Sequence, residues 1–139
     1  MRHFLLIFLL IGSSLAFTSE VIAYSLLVTA VENEEVRLDR TKVRYGNVGK
    51  FDPAQNHKVA LVRSSEVYEA TPAGKIIKKE GLEKGSARYN ELIRQASATY
   101  KAALKKVAKS SAYVLIVEQG GISGYANVTD ATATIIAAI

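Results

Sequence analysis

The chain has 139 residues, a net charge of +5 and no cysteine. That length fits one domain, and the missing thiols exclude a disulfide framework and any cysteine chemistry. The positive surplus favours anionic partners, which in general means acidic protein clients, anionic lipid headgroups or nucleic acid.

Read in chain order, the first element is an export signal. Arg2 and His3 form a short positive start, and Phe4 to Ile11 is an unbroken apolar run. Ser14-Leu15-Ala16 and Val21-Ile22-Ala23 both offer small-residue cleavage sites, and the second places a signal peptide at residues 1–23. An uncleaved anchor fits less well. Gly12, Ser13, Ser14, Thr18, Ser19 and Glu20 break the apolar stretch before the ~20 residues that a span needs. Export without cysteine fits a bacterial envelope protein better than a small eukaryotic secreted domain, which usually needs disulfides, and export argues against nucleic acid as a partner. Residues 24–56 read as a linker or a weakly formed β hairpin, with basic and acidic residues in balance.

His57 to Arg63 reads as a buried strand. Ser64 or Ser65 is expected to cap a short helix carrying Val67 and Tyr68, which Thr71-Pro72 ends. Ala73 to Lys84 predicts a second helix, and Gly81 and Gly85 permit a turn. Ser86 resembles the N-cap of a long helix from Ala87 to about Ser110. Its apolar residues Tyr89, Ile93, Ala96, Tyr100, Ala103 and Val107 alternate spacings of four and three, the seam of a helix packed on another helix. An antiparallel helical hairpin at about 73–110 follows. Tyr113 to Val117 reads as a second buried strand and Gly120-Gly121 as a turn. Ile122 to Val128 reads as a third strand, and Ala131 to Ile139 as a last apolar helix capped by Thr129-Asp130. The fold class expected is α+β: a small β-rich body with a protruding helical hairpin.

The positive charge is concentrated in the hairpin. Lys75 to Lys109 holds ten basic and three acidic residues. Arg94, Lys101, Lys105 and Lys109, with Lys75, Lys78 and Lys79, form a candidate face for acidic clients or anionic lipid; the plain alternative is a solvated helix face. Tyr89, Ile93, Tyr100 and Val107 form either a client-facing groove or, more simply, the hairpin or oligomer core. His57 stands alone after signal cleavage, so no metal site, cofactor site or histidine-based catalytic set is indicated. Gly74-Lys75 lacks the upstream glycine of a phosphate loop, since Glu69 stands there.

The order of elements, with two stretches of sequence, resembles the OmpH/Skp family of periplasmic chaperones. The first stretch is Lys58-Val-Ala-Leu-Val-Arg-Ser-Ser-Glu-Val-Tyr-Glu-Ala-Thr-Pro-Ala-Gly-Lys75. It is similar to that family's opening strand, following helix and entry to the arm. The second runs from Tyr100 to Ala138, where an Ala- and Lys-rich helix enters Tyr113-Val-Leu-Ile-Val, then a Gly-Gly-Ile turn, Tyr125 and a Thr-Asp-capped helix. The resemblance covers about residues 58–139 and implies an OmpH/Skp-like domain over 57–139. It further implies a homotrimeric β body with helical arms, binding unfolded outer-membrane or envelope proteins without ATP, cofactor or catalysis. Two departures are plain. Only thirty-five residues, Lys75 to Lys109, serve both limbs and the turn, against a much longer arm in the family. Residues 24–56 are extra. A shortened arm leaves a second expectation open: an envelope structural module that contacts anionic lipid or lipopolysaccharide through its basic hairpin.

Overall fold

The computed structural model describes residues 35–139. The expected signal peptide, and residues 24–34 of the segment after it, lie outside them. In chain order the elements are β1 (Arg37–Leu38), β2 (Val43–Gly46), β3 (Val59–Val62), α1 (Ser64–Ala70), α2 (Pro72–Glu80) and α3 (Ala87–Ser111). They continue with β4 (Leu115–Glu118), β5 (Ile122–Ser123), β6 (Val128–Asp130) and α4 (Thr132–Ala137). Helices and sheet share one unit, and the fold is α+β.

Four strands make the main sheet in the order β2-β4-β3-β6. β3 runs parallel to both β4 and β6, with Ala60 opposite Ile116 and Thr129. Strands this apolar form a sheet centre because both faces of β3 and β4 are covered. Val59, Ala60, Val62, Leu115, Ile116 and Val117 are each 0% exposed. Ala60, Val62 and Ile116 meet α1, the C-terminal half of α3 and α4 through Val67, Leu104, Val107 and Ile135. Val59, Leu115 and Val117 face the other way. Among the described residues no helix packs on that side; half-buried residues, among them Leu38, Phe51, Ile122 and Tyr125, cover them.

Residues 35–56 are not a bare linker: they hold two short strands and three 3-10 turns, and the two strands do not form a hairpin with each other. β1 pairs with β5 in a separate two-stranded ribbon, and β2 pairs antiparallel with β4, closing one side of the sheet. The expected boundary at residue 56 therefore falls inside one unit, Glu34–Ile139. A bulge between Val43 and Tyr45 leaves Arg44 without a ladder partner. It puts Tyr45 opposite Ile116 on the helix-packed side, while Val43 stays opposite Val117 on the other. Gly46 follows with φ +102, and a Cβ there would collide with the carbonyl oxygen of Val114.

The helices start and stop for identifiable reasons. Ser64 does not cap α1; it is the first helical residue, and the N-cap position is Arg63, which makes no side-chain cap. The Glu118 carboxylate of β4 supplies the acceptor instead, taking the Ser64 N–H at 3.0 Å. Thr71, fully buried, joins α1 to α2. Its hydroxyl donates to the Tyr68 carbonyl (2.7 Å) and accepts the Gly74 N–H (3.0 Å). A Cβ at Gly74 would strike that same Tyr68 carbonyl, so the Thr-Pro-Ala-Gly run fixes how closely the two helices approach. Ser86 caps α3 as expected, accepting the Tyr89 N–H. The third expected strand is split: Ile122–Ser123 and Val128–Asp130 sit in different sheets, with Gly124 at φ +68 between them.

α2 and the first half of α3 form the hairpin. Ala73, Leu92 and Ala96 are buried between them, with Ile77 and Leu82 alongside, and Arg88 pairs with Glu80 near the turn at 2.8 Å. At 1.5 Å per residue, nine residues of α2 give a limb of about 13 Å. The rest of α3 is committed to the sheet.

Candidate client-binding face

α3 carries three kinds of surface, and the candidate site lies where they meet. Its buried stripe is Leu92, Ala96, Tyr100, Ala103, Leu104, Val107 and Ala108. Tyr100 and Val107, expected in a hairpin or oligomer core, are 5% and 2% exposed within the core of the chain itself. Tyr89 and Ile93 are half-buried and line a groove. Leu92, Leu104 and Ala108 were missed by a strict four-three seam. A wider helical stripe, with apolar residues at i, i+3, i+4 and i+7, includes them.

The groove holds about 310 Å³. Tyr68, Gly74 and Ile77 form one wall, Tyr89, Ile93 and Ala96 the other, and the Glu69–Lys78 pair (2.9 Å) completes the lining. A second hollow of about 400 Å³ lies towards β2, lined by Val43, Arg44, Ser64, Tyr68, Tyr100, Lys101 and Leu104. Tyr68 borders both. Its ring lies 4.8 Å from that of Tyr100 at 36°, and its hydroxyl donates to Ser97 at 3.2 Å.

Beneath the second hollow is a polar network. Arg44 donates from Nε to Glu118 Oε2 at 2.9 Å, and the Ser64 hydroxyl bonds to the same carboxylate. Tyr100 Oη lies 2.6 Å from Ser64 Oγ. An ionised carboxylate only accepts, so Ser64 donates its single proton to Glu118 and Tyr100 must donate to Ser64. Burial works to raise the Glu118 pKa, but the Ser64 hydroxyl and amide and then Arg44 outweigh it and hold the carboxyl below its usual value. Burial pushes the Tyr100 phenol above its usual value, against the Ser64 hydrogen bond. Every polar group here has a partner, so the network fastens β2, α1, α3 and β4 together. Nothing in the local sequence joins Arg44 to Glu118. The bulge and the pairing of β2 with β4 bring them together.

The expected basic residues divide into two sets. Arg94, Lys101, Lys105 and Lys109 are all exposed on one outward arc of α3. Arg94 pairs with Glu91, while Lys101, Lys105 and Lys109 have no ion-pair partner among the described residues. Lys75, Lys78 and Lys79 are exposed on α2; Lys78 pairs with Glu69 beside the groove, and Lys75 and Lys79 have no such partner among the described residues. The arrangement offers an open apolar groove between two sources of positive charge. Searches of protein-family models, curated proteins and solved structures find no match to this chain.

Proposed function

We propose that the protein is an ATP-independent holdase of the OmpH/Skp kind, exported to the periplasm and carrying shortened arms. The observation that carries this reading is the open apolar groove between α2 and α3, walled by Tyr68, Ile77, Tyr89 and Ile93 and flanked by lysines. Such a surface attracts acidic, unfolded envelope proteins through charge and holds an apolar side chain out of water. Ile76, 37% exposed on α2, adds to the apolar surface of the same limb. The sheet face lined by half-buried Leu38, Phe51 and Tyr125, on which no helix of the described residues packs, suits the interface of a homotrimer. The reading needs no cofactor and no catalytic group. Analytical ultracentrifugation of the purified protein tests the assembly: a trimer is expected, and a monomer at all concentrations counts against it.

One observation favours a second reading. Lys101, Lys105 and Lys109 form an outward row with no carboxylate to neutralise them among the described residues, as a contact with anionic lipid or lipopolysaccharide requires. Liposome flotation separates the two. Selective flotation with anionic vesicles, without protection of an unfolded client, favours the envelope-binding module; protection without lipid selectivity favours the holdase.

A further inference from the structure

We propose that the α1/α3 face reads a two-point peptide code: an aromatic or aliphatic side chain in the hairpin groove and a carboxylate side chain on Lys101 and Arg44, about four residues away. This deepens the holdase reading and rests on it. Tyr68, held against Tyr100 and bonded to Ser97, stands as a ridge between an apolar hollow and a cationic one. In the cationic hollow Lys101 has no carboxylate partner among the described residues. Arg44 is engaged with Glu118 yet remains 36% exposed. Ile93 in the groove and Lys101 in the hollow are eight residues apart on α3, about 12 Å at 1.5 Å per residue. Extended chain covers that distance in about four residues at ~3.3 Å each.

The ridge decides between peptide and lipid. A continuous acyl chain would have to cross Tyr68 from a groove of only about 310 Å³, whereas an extended peptide passes over it and drops alternate side chains on either side. Both hollows are open grooves, which suits a chain lying along the surface.

The test is fluorescence anisotropy with the purified protein and labelled ten-residue peptides. The probe carries Phe and Glu four positions apart; its controls replace Glu by Lys, replace Phe by Ser, or place Glu next to Phe. Lys101→Glu, at an exposed position, is expected to weaken the Phe/Glu peptide about fivefold to tenfold and to strengthen the Phe/Lys peptide, because an attraction becomes a repulsion. Ile93→Ser should weaken both. Equal effects of Lys101→Glu on both peptides, or indifference to spacing, overturn the proposal. So does the absence of peptide binding. If the protein still protects an unfolded client in that case, only the code falls; if protection is also absent, the holdase reading falls with it. Competition by anionic vesicles with no peptide binding assigns the face to lipid and likewise overturns the code.

Discussion

Glu118 holds three segments at once: it caps the first turn of α1, receives Arg44 from the bulge of β2, and through Ser64 orders the phenol of Tyr100. Its pKa is lower folded than unfolded, so its contribution is complete above the unfolded carboxylate range and is lost as pH falls through the folded value. Glu118→Gln should cost about 1–3 kcal/mol near neutral pH, from the lost charge-assisted bonds. The gap between wild type and variant should begin to close as pH falls below the unfolded glutamate value, about 4.3, and vanish in stronger acid, as read by urea melts. A gap that persists unchanged in acid would show that the charge is not the cause. Ala112 presents the opposite case, a residue in the wrong place. It ends α3 with φ +56, a left-handed conformation that costs an L-residue roughly 1 kcal/mol. Ala112→Gly should therefore raise stability, by about 0.5–1 kcal/mol in the same melts, and a loss would mean that the helix end is held by something other than its backbone.

At the scale of elements, α3 serves two partners along its 25 residues. Its first half closes the hairpin with Leu92, and its second half closes the sheet with Leu104. Truncating either leucine to alanine should cost about 2–5 kcal/mol of local packing. Leu104→Ala should lower the global melting temperature, while Leu92→Ala should speed amide exchange in α2 and the start of α3 and leave β3 and β4 protected. Equal loss of protection everywhere would make the hairpin and body one cooperative unit. The existence of α3, its Ser86 cap and the two central strands was legible in the sequence, because helical spacing and a run of Val, Leu and Ile are local signals. The pairing of β1 and β2 was not. β1 has two residues and β2 reads Val-Arg-Tyr-Gly, with none of the apolar run that marks β3 and β4, and their partners lie about eighty residues away. Of the candidate site, Tyr89 and Ile93 were legible as one stripe, but the stripe gave no sign that it changes partner midway. That change places Tyr100 and Val107 in the core and leaves the other two beside a groove.

For the whole molecule, the holdase reading predicts binding that depends on salt, because exposed lysines flank an apolar groove. The lysines of α2 and α3 that lack an ion-pair partner among the described residues are exposed, so their attraction for acidic chains is screened over about 10 Å at 0.1 M salt. The groove is apolar and is screened hardly at all. Client capture should therefore slow as salt is added, with less effect on the release of what has already been bound; stopped-flow mixing with a labelled acidic client measures both rates. On the trimer reading, the sheet faces lined by Leu38, Phe51 and Tyr125 would meet at the axis and each chain would contribute one short hairpin. The measurement that bears most directly on the holdase reading is light scattering of an unfolded β-barrel protein diluted from urea, with and without stoichiometric amounts of this protein. Aggregation should be suppressed at low salt without ATP, and suppression should weaken at 0.5 M salt and with Lys101→Glu. Full aggregation at low salt, with this protein folded and present in excess, would contradict the function proposed.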